Sequence, residues 1–182
     1  MDNSIVLNGL RFQPYLRREQ IDKQVARVAS EIRRDFEGKN PVFIVVLTGA
    51  YVFAADLLRN VGINENQVEF VRYSSYEGGT STTGCVKQLM GLRQEIKGRN
   101  VVIVEDIVDT GLTAERMIAD LMAQEPASLK FATLLYKPES SRTGYTPDYA
   151  AFTIPPKFIL GYGLDLDGKG RNLPDIYACE EG

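Results

Sequence analysis

One stretch limits the possible folds of this chain more than any other: Val101-Val102-Ile103-Val104-Glu105-Asp106-Ile107-Val108-Asp109-Thr110-Gly111-Leu112-Thr113. Its first four residues are all β-branched and apolar, so 101–104 reads as a strand buried on both faces. Such a strand belongs in a mainly parallel sheet covered by helices on both sides. It delivers two adjacent carboxylates, Glu105 and Asp106, to the sheet edge, and a third acid and a Thr-Gly-x-Thr turn then lead into a helix. Backbone N–H groups at that helix start, flanked by the Thr110 and Thr113 hydroxyls, suit a phosphate monoester. Paired acids beside such a site suit sugar hydroxyls or a hard cation such as Mg2+. Their mutual repulsion raises at least one pKa, which can prepare a general base. The plainer alternative is a strand–turn–helix in which Asp and Thr act only as caps.

The rest of the chain repeats the strand–helix alternation. Ile21, Val25, Val28, Ile32 and Phe36 recur at steps of three and four, which predicts an amphipathic helix over 19–37. Gly38 follows as its C-terminal cap, and Pro41 stops any continuation. Residues 42–47 form a second buried strand, Thr48-Gly49-Ala50 a tight connection, and 51–61 a second helix. Strands are expected at 68–73, 86–90, 131–136, 149–154 and 158–162, and a helix at 113–123. Between two of these strands, residues 74–84 are small, polar and glycine-rich, an unusually long mobile loop for a compact domain. Ligands of such a sheet sit at the carboxyl ends of its strands. With 182 residues and no linker or repeat, 1–182 reads as a single domain. Its core is about 16–144, and about 1–15 and 145–182 form a small hood over the strand ends.

Composition removes whole classes of chemistry. The chain has no histidine, so Ser-His-Asp and Cys-His nucleophile systems and histidine zinc sites are excluded. Its two cysteines, Cys85 and Cys179, lie too far apart in sequence for a C-x-x-C pair. Any reaction must run on carboxylates, lysine, arginine, tyrosine, backbone groups and a metal held by oxygen. A net charge of −3 gives no electrostatic footprint for nucleic acid, and no apolar run approaches the roughly 20 residues that span a bilayer. Met1-Asp2-Asn3-Ser4 carries an acid and no basic stretch, so no signal peptide is expected, and two unpaired cysteines fit a reducing cytoplasm.

The 101–113 string resembles the phosphoribosyl pyrophosphate (PRPP) signature of the type I phosphoribosyltransferases. From about Ile5 to Ala178 the chain resembles their hypoxanthine-guanine branch, in its bacterial form. The resemblance implies an α/β fold, a mainly parallel sheet flanked by helices with a hood subdomain. It implies an Mg2+-dependent purine-salvage enzyme that transfers 5-phosphoribose from PRPP to hypoxanthine and guanine. The products would be IMP or GMP and pyrophosphate. A cytoplasmic homodimer or homotetramer is implied, with no nucleic-acid or membrane partner.

Residue by residue, the resemblance assigns the ribose hydroxyls and a metal ion to Glu105 and Asp106. Asp109 would exchange a proton with purine N7, and Asp109, Thr110, Gly111, Leu112 and Thr113 would cradle the 5′-phosphate. Thr48 and Gly49 match the loop that contacts pyrophosphate, where the family shows a cis peptide, and Arg171 matches an arginine on the same group. Ser75 and Tyr76, followed by glycines, match a lid over the reacting centre, which must be kept from water. Lys137 matches the lysine on the purine 6-oxo group, Phe158 the stacking aromatic, and Ile159 a backbone contact to the base. Asp165 matches a metal-binding acid near the base. Relatives often carry basic residues at the positions of Thr48 and Leu112, so phosphate binding here would lean on Mg2+, Arg171 and backbone donors.

Other readings fail on spacing. Asp165-Leu166-Asp167-Gly168 opens like a calcium loop, but position twelve holds Ile176 in place of an acid. As an aspartyl-phosphatase motif it should precede most of its fold, yet only 15 residues follow Asp167. Residues 101–106 imitate a Walker B strand, but no G-x-x-x-x-G-K-[ST] accompanies them. A reading of another class remains, a regulator of this fold that senses PRPP or binds nucleic acid; the acidic charge balance speaks against it, and Asp109 together with Lys137 speaks for an enzyme.

Overall fold

The computed structural model describes residues 3–76 and 85–180. Along the chain run β1 (Ile5–Leu7), β2 (Leu10–Leu16), α1 (Arg18–Phe36), β3 (Val42–Leu47), α2 (Tyr51–Val61) and β4 (Gln67–Tyr76). They are followed by β5 (Cys85–Met90), β6 (Asn100–Val108), α3 (Leu112–Met122), β7 (Ser128–Tyr136), β8 (Tyr149–Thr153), β9 (Ile159–Leu160) and β10 (Ile176–Cys179). Six strands form one sheet in the order β5-β4-β3-β6-β7-β8, parallel throughout except for the β4–β5 pair. The expected α/β architecture is what forms.

The buried runs explain the layers. Phe43, Val45, Val102 and Val104 face α1 and α2, whose Ile21, Val25, Ile32, Phe53 and Leu57 close that side. Ile44, Val46, Val101 and Ile103 face the other way, onto Met117 and Leu121 of α3. Alternate residues of one strand therefore enter two separate cores, which is why the runs are apolar at every position. Gly62 at φ 63° ends α2 in the left-handed region that glycine tolerates.

The strand order reverses between β3 and β6. From β3 the chain moves outward to β4, whereas β6 starts on the other flank and moves outward to β7 and β8. Pairing of β3 with β6 stops at Val45–Val104, while β6 stays paired with β7 as far as Val108–Tyr136. The two central strands thus part at their carboxyl ends, the place where open α/β sheets bind ligands.

A second, antiparallel sheet has the order β1-β2-β10-β9, built around Phe12, Leu160 and Tyr177. It joins the start of the chain to residues 159–179 and forms the small hood. Three details differ from the sequence reading. β8 extends the large sheet, so the segment grouped with the hood from 145 onward first serves the core. Residues 74–76 belong to β4, paired with β5, and only the remainder of the expected 74–84 loop lies outside the described residues. β6 continues through Glu105 and Asp106 to Val108, because β7 goes on supplying hydrogen bonds after β3 has left.

Candidate active site

Glu105 and Asp106 lie in the half-unpaired end of β6. Burial pushes Glu105 well above the ordinary carboxylate range, and the charge of Asp106 beside it adds to the rise. Burial also raises Asp106, against the opposing pull of its contact with Glu105, the Ile107 N–H at 2.9 Å and the charge of Arg171. Two acids so placed hold a proton more readily than free carboxylates, and they are poorly compensated until a cation or a set of hydroxyls arrives.

The β3 end faces this pair. The Leu47–Thr48 peptide is cis. A Cβ at Gly49 would overlap the Asp106 carboxylate where it lies, so a larger residue there would have to displace that side chain. From the hood side, Gly163 is pressed onto the carbonyl of Gly49. Its N–H donates to the carbonyl of Arg171 at 2.9 Å, and its own carbonyl accepts from the Arg171 guanidinium at 2.7 Å. Arg171 also pairs with Asp165 at 2.6 Å, and Asp165 accepts the Gly168 N–H at 2.6 Å. Thr48, Gly49, Asp165 and Arg171 thus flank the acids from one side.

On the other side the 109–113 loop leads into α3, with Gly111 as its N-cap and Leu112 N–H directed at the Thr110 hydroxyl at 3.5 Å. The first-turn N–H groups of α3 and the positive end of its dipole lie at this loop, which suits an anion. A wall the sequence did not signal backs this loop. Arg142 N–H donates to the Thr110 carbonyl at 2.9 Å, and Thr143 lies against Gly111.

Register decides the next contact. Val108 of β6 pairs with Tyr136 of β7, so the residues that follow, Asp109 and Lys137, emerge side by side. Lys137 N–H donates to the Val108 carbonyl at 2.9 Å, and its Nζ meets Oδ2 of Asp109 at 2.8 Å. Lys137 is only 7% exposed, whereas the Asp109 side chain is 45% exposed and open to a ligand. Ile154 N–H then bonds the Tyr136 carbonyl, and four residues on the chain reaches Phe158. The Phe158 ring is half exposed and rests on buried Phe12, centroids 5.9 Å apart. Ile159 is buried in β9. Phe158 itself precedes that strand, which is much shorter than the expected 158–162.

The fold has known counterparts. Residues 14–167 match the model of the phosphoribosyl transferase domain. A hypoxanthine-guanine phosphoribosyltransferase of Streptococcus pneumoniae R6 is 38% identical over 163 residues, covering 90% of each chain. The chain belongs to the hypoxanthine-guanine phosphoribosyltransferase family. A Tritrichomonas foetus relative, a hypoxanthine-guanine-xanthine phosphoribosyltransferase, is 40% identical over 90% of this chain and 88% of its own. A family member from Bacillus anthracis, solved with a HEPES molecule in its active site, superposes with a TM-score of 0.86. It is 44% identical, covering 91% of this chain and 97% of that one.

Within this family fold, the structure brings together Thr48, Gly49, Glu105, Asp106, Asp109–Thr113, Lys137, Asp165 and Arg171 around one cleft. Phe158 and Ile159 belong to the hood, the Phe158 ring resting on Phe12 and Ile159 paired with Ala178 of β10. The backbone of Ser75 and Tyr76 ends β4, paired with Val86 and Cys85. The rest of the expected lid, residues 77–84, lies outside the described residues. Among the described residues no three His, Cys, Asp or Glu side chains converge on one point, so Glu105, Asp106 and Asp165 do not form a ready metal cage. The adjacent acids do suit Mg2+ that arrives on a diphosphate, since Mg2+ keeps several waters and takes only one or two protein carboxylates. Among the described residues no helix is long and apolar enough to cross a membrane. The sequence reading missed Tyr162 and Asp56, which stand behind the Gly49–Gly163 contact. The available signal was an acid beside the apolar stripe Phe53, Leu57 and Val61 of α2.

Proposed function

We propose that this chain transfers the 5-phosphoribosyl group of PRPP to N9 of hypoxanthine, and of guanine, releasing pyrophosphate. The carrying observation is the Asp109–Lys137 pair, an acceptor and a donor 2.8 Å apart at the mouth of the phosphate loop. A 6-oxopurine protonated on N7 presents the complementary edge, an N7–H beside a 6-oxo acceptor. Adenine would set a second donor against the Lys137 ammonium. Phe158 offers its exposed ring to the base, and Ile159 its backbone. Glu105 and Asp106 accept from the ribose hydroxyls, and the 109–113 loop holds the 5′-phosphate. Thr48, Gly49 and Arg171 take the pyrophosphate, and Ser75 and Tyr76 belong to the covering lid.

The family generally uses Mg2+ with PRPP, and the ion would supply charge neutralisation for the pyrophosphate leaving group. Glu105 and Asp106 would hold it, with Asp165 free to join once Arg171 turns to pyrophosphate. The C1′–oxygen bond breaks with its electron pair leaving on pyrophosphate, and N9 supplies the pair for the new bond to C1′. The carboxylates of Glu105 and Asp106 stabilise the positive charge that develops on the sugar. Asp109 accepts the N7 proton as the ring becomes a neutral nucleotide base. We expect a cytoplasmic homodimer or homotetramer.

The test measures pyrophosphate release from Mg·PRPP with hypoxanthine, guanine, xanthine and adenine in turn. Release with hypoxanthine and guanine and none with adenine is expected. No base-dependent release, or a preference for adenine, overturns the reading.

A further inference from the structure

We infer that Tyr162 and Asp56 form a positioning pair that fixes the pyrophosphate side of the cleft, an inference resting on the function proposed above. Asp56 is 8% exposed, on the inward side of α2. It accepts a 2.6 Å hydrogen bond from the Tyr162 hydroxyl, another at 2.9 Å from Arg18, and a third from Arg59. The Arg18 guanidinium lies over the Tyr162 ring, 5.2 Å from its centroid. Arg18 is tied in turn to the hood, its backbone N–H donating to Asp175 at 2.7 Å.

None of these side chains reaches the reacting groups, yet a carboxylate is buried where apolar residues would pack as well. Connectivity supplies its use. Asp56 lies two helical turns beyond Gly49, and Tyr162 immediately precedes Gly163. Gly163, at φ 99°, has its α-carbon against the Gly49 carbonyl, where a Cβ would overlap, and it grips Arg171 by both backbone groups. The hydroxyl of Tyr162 therefore clamps the hood turn after β9 to α2 at the point that sets the spacing between Gly49 and Arg171. The 5′-phosphate loop belongs to β6 and α3 and is backed by Arg142 and Thr143. No hydrogen bond of the Asp56 cluster extends to it among the described residues. The clamp should act on one ligand only.

The experiment runs the reaction backwards, from IMP and pyrophosphate, with the wild type and Tyr162→Phe. The KM for pyrophosphate should rise roughly tenfold, within the usual reach of a residue that acts without touching the ligand, with the KM for IMP unchanged. A merely structural tyrosine would lower kcat through a smaller folded fraction and leave both KM values alone. An unchanged KM for pyrophosphate, or an equal rise in both, overturns the inference. If Tyr162→Phe fails to fold, Arg18→Gln, which removes a partner of Asp56 at the surface, must give the same selective rise in smaller measure. A wild type that forms no PRPP from IMP and pyrophosphate would instead count against the proposed function itself.

Discussion

The molecule buries acids in two places and treats them in opposite ways. At the end of β6, Glu105 and Asp106 sit side by side, and burial raises both. Behind the cleft, Asp56 is 8% exposed and better covered than the half-buried pair, yet bonds from Tyr162, Arg59 and Arg18 overcome the burial and hold it below the ordinary range. Among the described residues the first pair has no cation beside it but Arg171, whereas the second is held by two arginines and a tyrosine and ties α2 to the hood. A buried acid therefore marks a binding site when its compensation is missing and a scaffold when it is present.

Substitutions should separate the two kinds. The largest effect is expected at the cleft: Asp109→Asn should cut kcat by about 10²–10⁴-fold, the usual worth of a positioned acid–base group, with little change in melting temperature. Near-normal turnover would remove Asp109 from proton transfer. Lys137→Ala takes away the partner of Asp109 and the donor to the 6-oxo group. The kcat/KM preference for hypoxanthine over adenine should then fall by roughly 10–100-fold, as expected for a lost charged hydrogen bond. Unchanged base preference would move selectivity elsewhere. At the scaffold the pattern should invert. Asp56→Asn should lose about 1–3 kcal/mol of unfolding free energy in denaturant melts, since its arginines can still reach water. A more stable variant would show that the cluster is no scaffold.

How much of this was legible beforehand follows the same division. The apolar runs at 42–47 and 101–104 announced a doubly covered sheet, because burial on both faces leaves no room for alternation. The cleft residues came as one local string, 101–113, and through the family resemblance that the string carries. Contacts made by register and chain crossing were not legible. Nothing in the sequence places Lys137 against Asp109 until Val108 is known to pair with Tyr136. Nor does it show Gly163 over Gly49, or the pairing of β2 with β10, short strands whose partners lie more than a hundred residues apart.

The most direct test of the difference between the two acid sites is the thermal melt of Glu105→Gln at pH 8, with and without Mg·PRPP. Below about pH 4 both folded and unfolded chains carry the Glu105 proton. As pH rises, the unfolded chain ionises while the folded one resists, so stability is lost progressively above that point. The account predicts that Glu105→Gln melts higher than the wild type at pH 8, by about 2–4 °C per kcal/mol recovered. This gain should vanish near pH 4, and the rise in melting temperature on adding Mg·PRPP should be largely lost. A lower melting temperature without ligand, or an undiminished response to Mg·PRPP, would contradict it.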